Sequence, residues 1–401
     1  MIKEKCEKLA SIIGNFRSGE IEQIGIERVE KWLSQFDEDK QEPIIEEMIY
    51  VFSDWYLSQE YIINEYLDKI PGILQEKYGF SSEAETCKNV VFVDMQAVGA
   101  SQRMLVSELG KLKKEQYGIT IKSEIDPSVS HYAYIDDGFY SGSRARKDIK
   151  ELVYQLKSGD TLDVFYLVMC TGGLLYAKKE FKELEAECKV TIKFHPLAKI
   201  DNDRKEHTEY KDGTEKVWWM NNQMCLWPSA ASGKDPEVST YYDYLKTVGT
   251  NYEKIPYRNS HWVNDPGVFS SSERRALIEH EFLKKGIMIA GSYRREYGNS
   301  KGMYPLGYNL WPSFGFGVMF ATDYNVPNNA PLVLWADTDW YPLLPRRKNT
   351  ENDVTEVDTF IDFESESQRN DQYNMCPDCG KFFGFDEDGG NGFCIDCAWN
   401  H

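Results

Sequence analysis

The spacing of hydrophobic positions changes near residue 90. Upstream, Ile26, Val29, Leu33 and Phe36 recur every three or four positions, and Ile45, Met48, Ile49, Phe52, Trp55 and Tyr56 do so again after Pro43. That is the period of helices with one buried face, and it predicts a helical N-terminal module over residues 1–80. Downstream, short apolar runs alternate with charged stretches of helical period. Residues 89–94 (NVVFVD), 132–135, 164–169 (VFYLVM) and 190–194 (VTIKF) read as buried strands, with helices over 101–115, 144–156 and 174–187 between them. Strand alternating with helix predicts an α/β fold on an open, mainly parallel sheet, where ligands collect at the carboxyl ends of the strands. Further on, the pattern predicts a helix over 272–285, a strand over 286–291 (GIMIAG) and closing strands around 317–322 and 332–335.

The second of these strands ends in the most informative run of the chain, Tyr-Ala-Tyr-Ile-Asp-Asp-Gly-Phe-Tyr-Ser-Gly-Ser-Arg at 132–144. An apolar strand ending in two carboxylates, then a small-residue turn into a basic helix start, suits a sugar phosphate. The helix start at Ser141, Gly142, Ser143 and Arg144 offers unpaired backbone N–H groups and a positive dipole end to a phosphate. Asp136 and Asp137 stand just before it, where ionised carboxylates accept hydrogen bonds from ribose hydroxyls.

This run resembles the phosphoribosyl-pyrophosphate signature of type I phosphoribosyltransferases through Ile135, Asp136, Asp137, Ser141, Gly142 and Arg144. It departs at Gly138, Phe139 and Tyr140, where that family has aliphatic or small residues. A wider set of segments is similar to the phosphoribosyltransferase-like proteins of bacterial conflict systems. These are residues 29–36 (VEKWLSQF), 99–101 (GAS), the DDGFYSG loop, 305–308 (PLGY), 325–329 (NVPNN), Trp335 and 342–346 (PLLPR), so the likeness spans roughly 25–348. The resemblance implies a sheet of phosphoribosyltransferase type. It implies that Gly99 and Ser101, in the loop after the first strand, hold a pyrophosphate, and that the diphosphate arrives with Mg²⁺. It also implies a setting, the effector of an anti-phage locus.

Composition narrows the partners. The chain has 401 residues and a net charge of −19, unevenly spread. Residues 1–80 hold nine basic against seventeen acidic side chains, 350–371 one against eight, and 372–401 one against five, which leaves 81–349 neutral. The region bearing the phosphate motif is therefore not set against a small anion, whereas duplex nucleic acid is repelled. No apolar run reaches the ~18 residues of a membrane span, the start MIKEKCEKLA lacks the apolar core of a signal peptide, and five scattered cysteines suggest a reducing compartment. The expected location is cytoplasmic.

Three segments fall outside the strand and helix rhythm. Residues 200–270 form an aromatic-rich insertion with Trp218, Trp219, Trp227, Tyr241, Tyr242 and Trp262, read first as packing and second as a base-stacking surface. Residues 350–371 read as an acidic linker. Cys376-x-x-Cys379 and Cys394-x-x-Cys397, 14 residues apart, have the spacing of a zinc ribbon, in which four thiolates close a structural tetrahedral Zn²⁺ site. Its acidic surroundings favour a protein partner, as does the helical N-terminal module. The leading expectation is thus an Mg²⁺-dependent enzyme of pentosyl transfer acting on phosphoribosyl pyrophosphate or a nucleotide, with Asp136 and Asp137 catalytic. The alternative is a non-catalytic nucleotide sensor or assembly protein using the same pocket.

Overall fold

Four segments of the first half are rich in β-branched and aromatic residues, and they pair into one parallel sheet. The computed structural model describes residues 2–96, 100–200, 206–211, 215–220, 225–248, 257–258, 264–297, 303–309, 313–346, 373–375 and 382–384. They fall into two compact units. The first comprises Met1–Leu33, Ile45–Asp201 and Met319–Pro327, the second Ser34–Ile44, Asn202–Val318 and Asn328–His401.

The first unit contains helices α1 (Ile2–Ile13) and α2 (Ile26–Leu33), most of α3 (Glu38–Trp55), the short strand β1 (Tyr56–Leu57), and α4 (Gln59–Tyr61), α5 (Ile70–Tyr78) and α6 (Glu83–Asn89). There follow β2 (Val90–Phe92), α7 (Ser101–Tyr117), β3 (His131–Phe139), α8 (Ser143–Val153), β4 (Thr161–Cys170), α9 (Thr171–Cys188) and β5 (Thr191–Ile200). The sheet order is β2-β3-β4-β5 with every pair parallel, so the strand with the two aspartates is internal. One face of the sheet, with Tyr132, Tyr134, Leu162, Val164, Tyr166 and Ile192, packs on Ile149 and Leu152 of α8 and Phe181 and Leu184 of α9. Asp163 of β4, fully buried, accepts from Tyr78 Oη at 2.5 Å, from His195 Nε2 at 2.6 Å and from Lys77 Nζ. It thereby ties α5 to the sheet. His131, which opens β3, stacks on Tyr78 at 3.8 Å.

The four predicted strands and the three helices between them are present, with β3 and β5 running four and six residues past their expected ends at 135 and 194. Three later expectations are corrected. GIMIAG is not a strand but part of α11 (Ser272–Tyr297), a 26-residue helix in the second unit. Its buried positions Ile278, Glu279, Phe282, Leu283, Ile289 and Ala290 follow the helical period, and Gly286 lets the backbone of Pro305 approach. A six-residue apolar run fits strand and helix equally, and the preceding helix simply continues through it. Residues 332–335 form the one-turn helix α12 (Leu332–Trp335), closed by Trp335 Nε1 donating to Ala330 O at 2.8 Å. Around 317–322, only Ala321–Thr322 (β10) is a strand.

The second unit also holds the hairpin β6 (Glu206–Lys211) and β7 (Glu215–Met220), α10 (Pro236–Val248) and the hairpin β8 (Met303–Tyr304) and β9 (Gly307–Tyr308). Within the aromatic-rich insertion, Trp227 is buried, Tyr241 stacks on Phe314 and Tyr242 lies against Tyr257, all packing contacts. The side chains of Trp218, Trp219 and Trp262 lie outside the described residues. β11 (Tyr373–Met375) pairs antiparallel with β12 (Phe382–Gly384). All four C-terminal cysteines, like the acidic linker, lie outside the described residues. Among the described residues no helix is long and apolar enough to cross a membrane.

Candidate functional site

β3 runs straight into the carboxylates because Tyr132, Tyr134 and Asp136 alternate onto one face while Ala133, Ile135 and Asp137 take the other. Asp136 and Asp137 are 6% and 7% exposed. Four groups of the protein reach Asp136. Its Oδ1 accepts from Ser101 Oγ at 2.9 Å and from the Asp137 N–H at 2.8 Å, and its Oδ2 lies 3.0 Å from Tyr134 Oη and 3.2 Å from Gln96 Nε2. Asp137 is less engaged, with Oδ2 accepting from Asn325 Nδ2 at 3.2 Å. Burial and the adjacent Asp137 charge push the Asp136 carboxyl up to about 8, and burial raises Asp137 as well, opposed by Asn325 and Ser101.

The turn that follows is packed more tightly than its length suggests. Phe139 is fully buried and meets the rings of Tyr166, Phe181 and Phe194 at centroid distances of 5.4, 6.3 and 6.1 Å. The Tyr140 ring folds back over Gly138, where a Cβ would lie 2.3 Å from it. Gly142 caps α8 in the left-handed region at φ 81°, and Gly173, at the start of α9, passes under the Tyr140 carbonyl so closely that a Cβ there would sit 1.9 Å from the oxygen. The departures at Gly138, Phe139 and Tyr140 therefore form one interlocked unit. Aliphatic residues of the resembled pattern are replaced by an aromatic anchor and a glycine that makes room for the next ring.

The structure gathers most of the expected site residues. Ser101 joins Asp136, and Ser141, Gly142, Ser143 and Arg144 open α8, with Ser143 N 3.5 Å from Ser141 Oγ. The Arg144 Nε atom is paired with Asp148, at 3.1 Å from Oδ1, so this guanidinium is anchored one turn into its own helix. Gly99 lies outside the described residues, as do Cys376, Cys379, Cys394 and Cys397. Reading the sequence missed Gln96, Gln102, Tyr134, Asp148 and the reach of Asn325. Gln102, fully buried, donates to Val93 O at 2.5 Å and shapes the loop after β2. Only the i,i+4 spacing of Arg144 and Asp148 was available as a signal, and such a pair is normally a surface feature.

Asn325 reaches the site through an anchored turn. β10 pairs in parallel with β1, Tyr56 Oη donates to Asp323 Oδ1 at 2.5 Å, and the Gln59 N–H to Asp323 Oδ2 at 2.6 Å. Thr322 Oγ1 then accepts from the N–H groups of Tyr324 and Asn325 at 3.1 and 3.0 Å, which fixes the turn. Replacing Asp323 with Ala leaves a buried tyrosine hydroxyl and a backbone N–H without acceptor. It is expected to cost about 3 kcal/mol in urea unfolding, against little change for the exposed Asp54.

No curated protein and no solved structure matches the chain. The PRTase-CE family model matches residues 29–346, a span that contains the sheet, both carboxylates, the turn into α8 and the Asn325 segment. With well over half of its length inside that match, the chain belongs to the PRTase-CE family and is a phosphoribosyltransferase-like protein.

Proposed function

We propose that the site binds a phosphorylated ribose, phosphoribosyl pyrophosphate as its Mg²⁺ complex or a nucleotide, and that the protein transfers or releases the pentosyl group. The observation that carries this reading is the placement of two carboxyls and the start of an 11-residue helix at the carboxyl end of an internal parallel strand. The start of α8 presents the backbone N–H groups of Ser143, Arg144 and Ala145 to a 5′-phosphate at the positive dipole end of the helix. Asp137, with the smaller complement of donors, takes ribose hydroxyls, and its charge steadies the oxocarbenium-like ribose formed as diphosphate leaves. Asn325 orients it. Mg²⁺ enters as part of the substrate and neutralises the departing diphosphate.

The resemblance supplies the setting proposed here, an effector in bacterial anti-phage defence acting in the cytoplasm. For the C-terminal segment we propose a structural Zn²⁺ on Cys376, Cys379, Cys394 and Cys397. The two Cys-x-x-Cys pairs and the 14 residues between them support this reading. The ribbon and the N-terminal helices are the surfaces proposed for a protein partner.

The test is calorimetric titration of the full chain with phosphoribosyl pyrophosphate and Mg²⁺, followed by assay of the recovered mixture for free pyrophosphate. Saturable binding with pyrophosphate release is expected, water taking the pentosyl group where no other acceptor is present. Binding with ligand recovered intact, both alone and with nucleobase acceptors added, would instead make the protein a nucleotide sensor or assembly factor, and absence of binding would remove the phosphoribosyl reading.

A further inference from the structure

The Tyr134 hydroxyl lies 3.0 Å from Asp136 Oδ2 and 3.0 Å from Asp148 Oδ2. It carries one proton and donates to only one of the two carboxyl groups. Both are buried, Asp148 at 4% exposure, so a contact between two oxygens with no hydrogen between them is costly there. Gln96 Nε2 does not relieve it. That nitrogen lies 2.6 Å from Asp148 Oδ2, 2.9 Å from Tyr134 Oη and 3.2 Å from Asp136 Oδ2, three acceptors for two hydrogens.

A second proton resolves the geometry, and the surrounding charges say where it resides. Asp148 has a cation, Arg144 Nε at 3.1 Å, whereas Asp136 is followed by the carboxyl of Asp137. Among the described residues Arg144 is the only cation paired with any of these three carboxyls. The other groups facing them are the phenols of Tyr166 on β4 and of Tyr66 (5% exposed), both raised chiefly by burial, together with neutral Ser101 of α7, Gln96 and Asn325. We infer that Asp136 is a neutral acid held by a relay: Asp136 Oδ2–H donates to Tyr134 Oη, Tyr134 Oη–H donates to Asp148 Oδ2, and the charge rests on Asp148 beside Arg144.

Tyr134 and Asp148 are then positioning residues that divide the work of the paired aspartates. Asp136 is an internal brace, and Asp137, relieved of a charged neighbour, is left to carry the negative charge at the mouth of the turn. A sugar phosphate would meet one carboxylate there instead of two. That consequence rests on the function proposed above; the relay itself is a property of the ligand-free protein.

Infrared spectroscopy of the ligand-free full chain, labelled with ¹³C-carboxyl aspartate, tests the relay without any ligand. Difference spectra taken on either side of about pH 8 are expected to show loss of a protonated carboxyl C=O band as pH rises. Asp136→Asn should remove the band and Asp137→Asn should retain it. Tyr134→Phe, which takes away the hydroxyl acceptor, should shift its frequency and its titration. Should Tyr134→Phe fail to fold, the two asparagine variants still decide the matter. A wild-type protein without such a band, or a band removed by Asp137→Asn and kept in Asp136→Asn, would overturn the assignment.

Discussion

Asp137→Asn lowers the affinity for Mg²⁺–phosphoribosyl pyrophosphate by two orders of magnitude or more and leaves the fold intact. The two aspartates look equivalent in sequence, but they are bonded differently. Asp136 is in hydrogen-bond contact with four groups of the protein, three of them side chains, and so has little capacity left for a ligand. Asp137 accepts from Asn325 and keeps lone pairs for hydroxyl groups. A charged acceptor contributes about 1.5–3 kcal/mol per hydrogen bond, so losing the charge against two ribose hydroxyls removes about 3 kcal/mol, or ~100-fold in affinity. Asparagine has the same shape, and burial already disfavours the ionised carboxyl, so the variant melts at or slightly above the wild-type temperature. Calorimetry and thermal melts on the same preparations check both halves. Undiminished binding in Asp137→Asn would show that this carboxylate does not face the ligand.

Gly173→Ala has the second large effect, and it acts through the backbone. The added methyl would stand 1.9 Å from the Tyr140 oxygen, 3.0 Å from its carbonyl carbon and 3.1 Å from the Ser141 carbonyl carbon. None of these is the end of a flexible side chain that can swing aside. Either the turn between β3 and α8 or the start of α9 must move by an ångström or more, at about 1–3 kcal/mol for the overpacking. Ser141 and Gly142 ride on the displaced segment, and a shift of about 1 Å in a binding group is worth up to ~100-fold in function. Lower stability and weakened ligand binding should therefore appear together. Gly25→Ala is the matched control, because a Cβ at Gly25 meets nothing within 4 Å. Wild-type binding in Gly173→Ala would mean that the turn does not hold the phosphate.

The parts of the fold that could be read in advance are those whose signal is local. Strands such as VFYLVM alternate with amphipathic helices over the first half, and the Asp136–Arg144 run names its own strand, turn and helix start. GIMIAG misled because an apolar run so short carries no period, and its helical identity is set by the residues before it and by the Pro305 backbone that Gly286 admits. The remainder of the site is non-local. Tyr134 reads as one more core aromatic of a buried strand, and nothing in the sequence says that its hydroxyl lies between two carboxyls. Asp148 reads as the partner of Arg144 on a solvated helix, yet that face of α8 is turned inward. Asn325 sits in the NVPNN segment, whose turn-forming residues accounted for themselves without any role in the site.

The anchored turn of Asn325 also orders events in time. Asp136, Asp137, Ser101, Tyr134 and Asp148 come from one continuous stretch of chain, whereas Asn325 lies 188 residues beyond Asp137. On a translating ribosome the sheet residues emerge long before the segment that completes them. A nascent or truncated chain ending before Met319 holds both carboxyls and lacks the amide that steadies the second. The site is therefore complete only after residue 325 has emerged and its turn has docked.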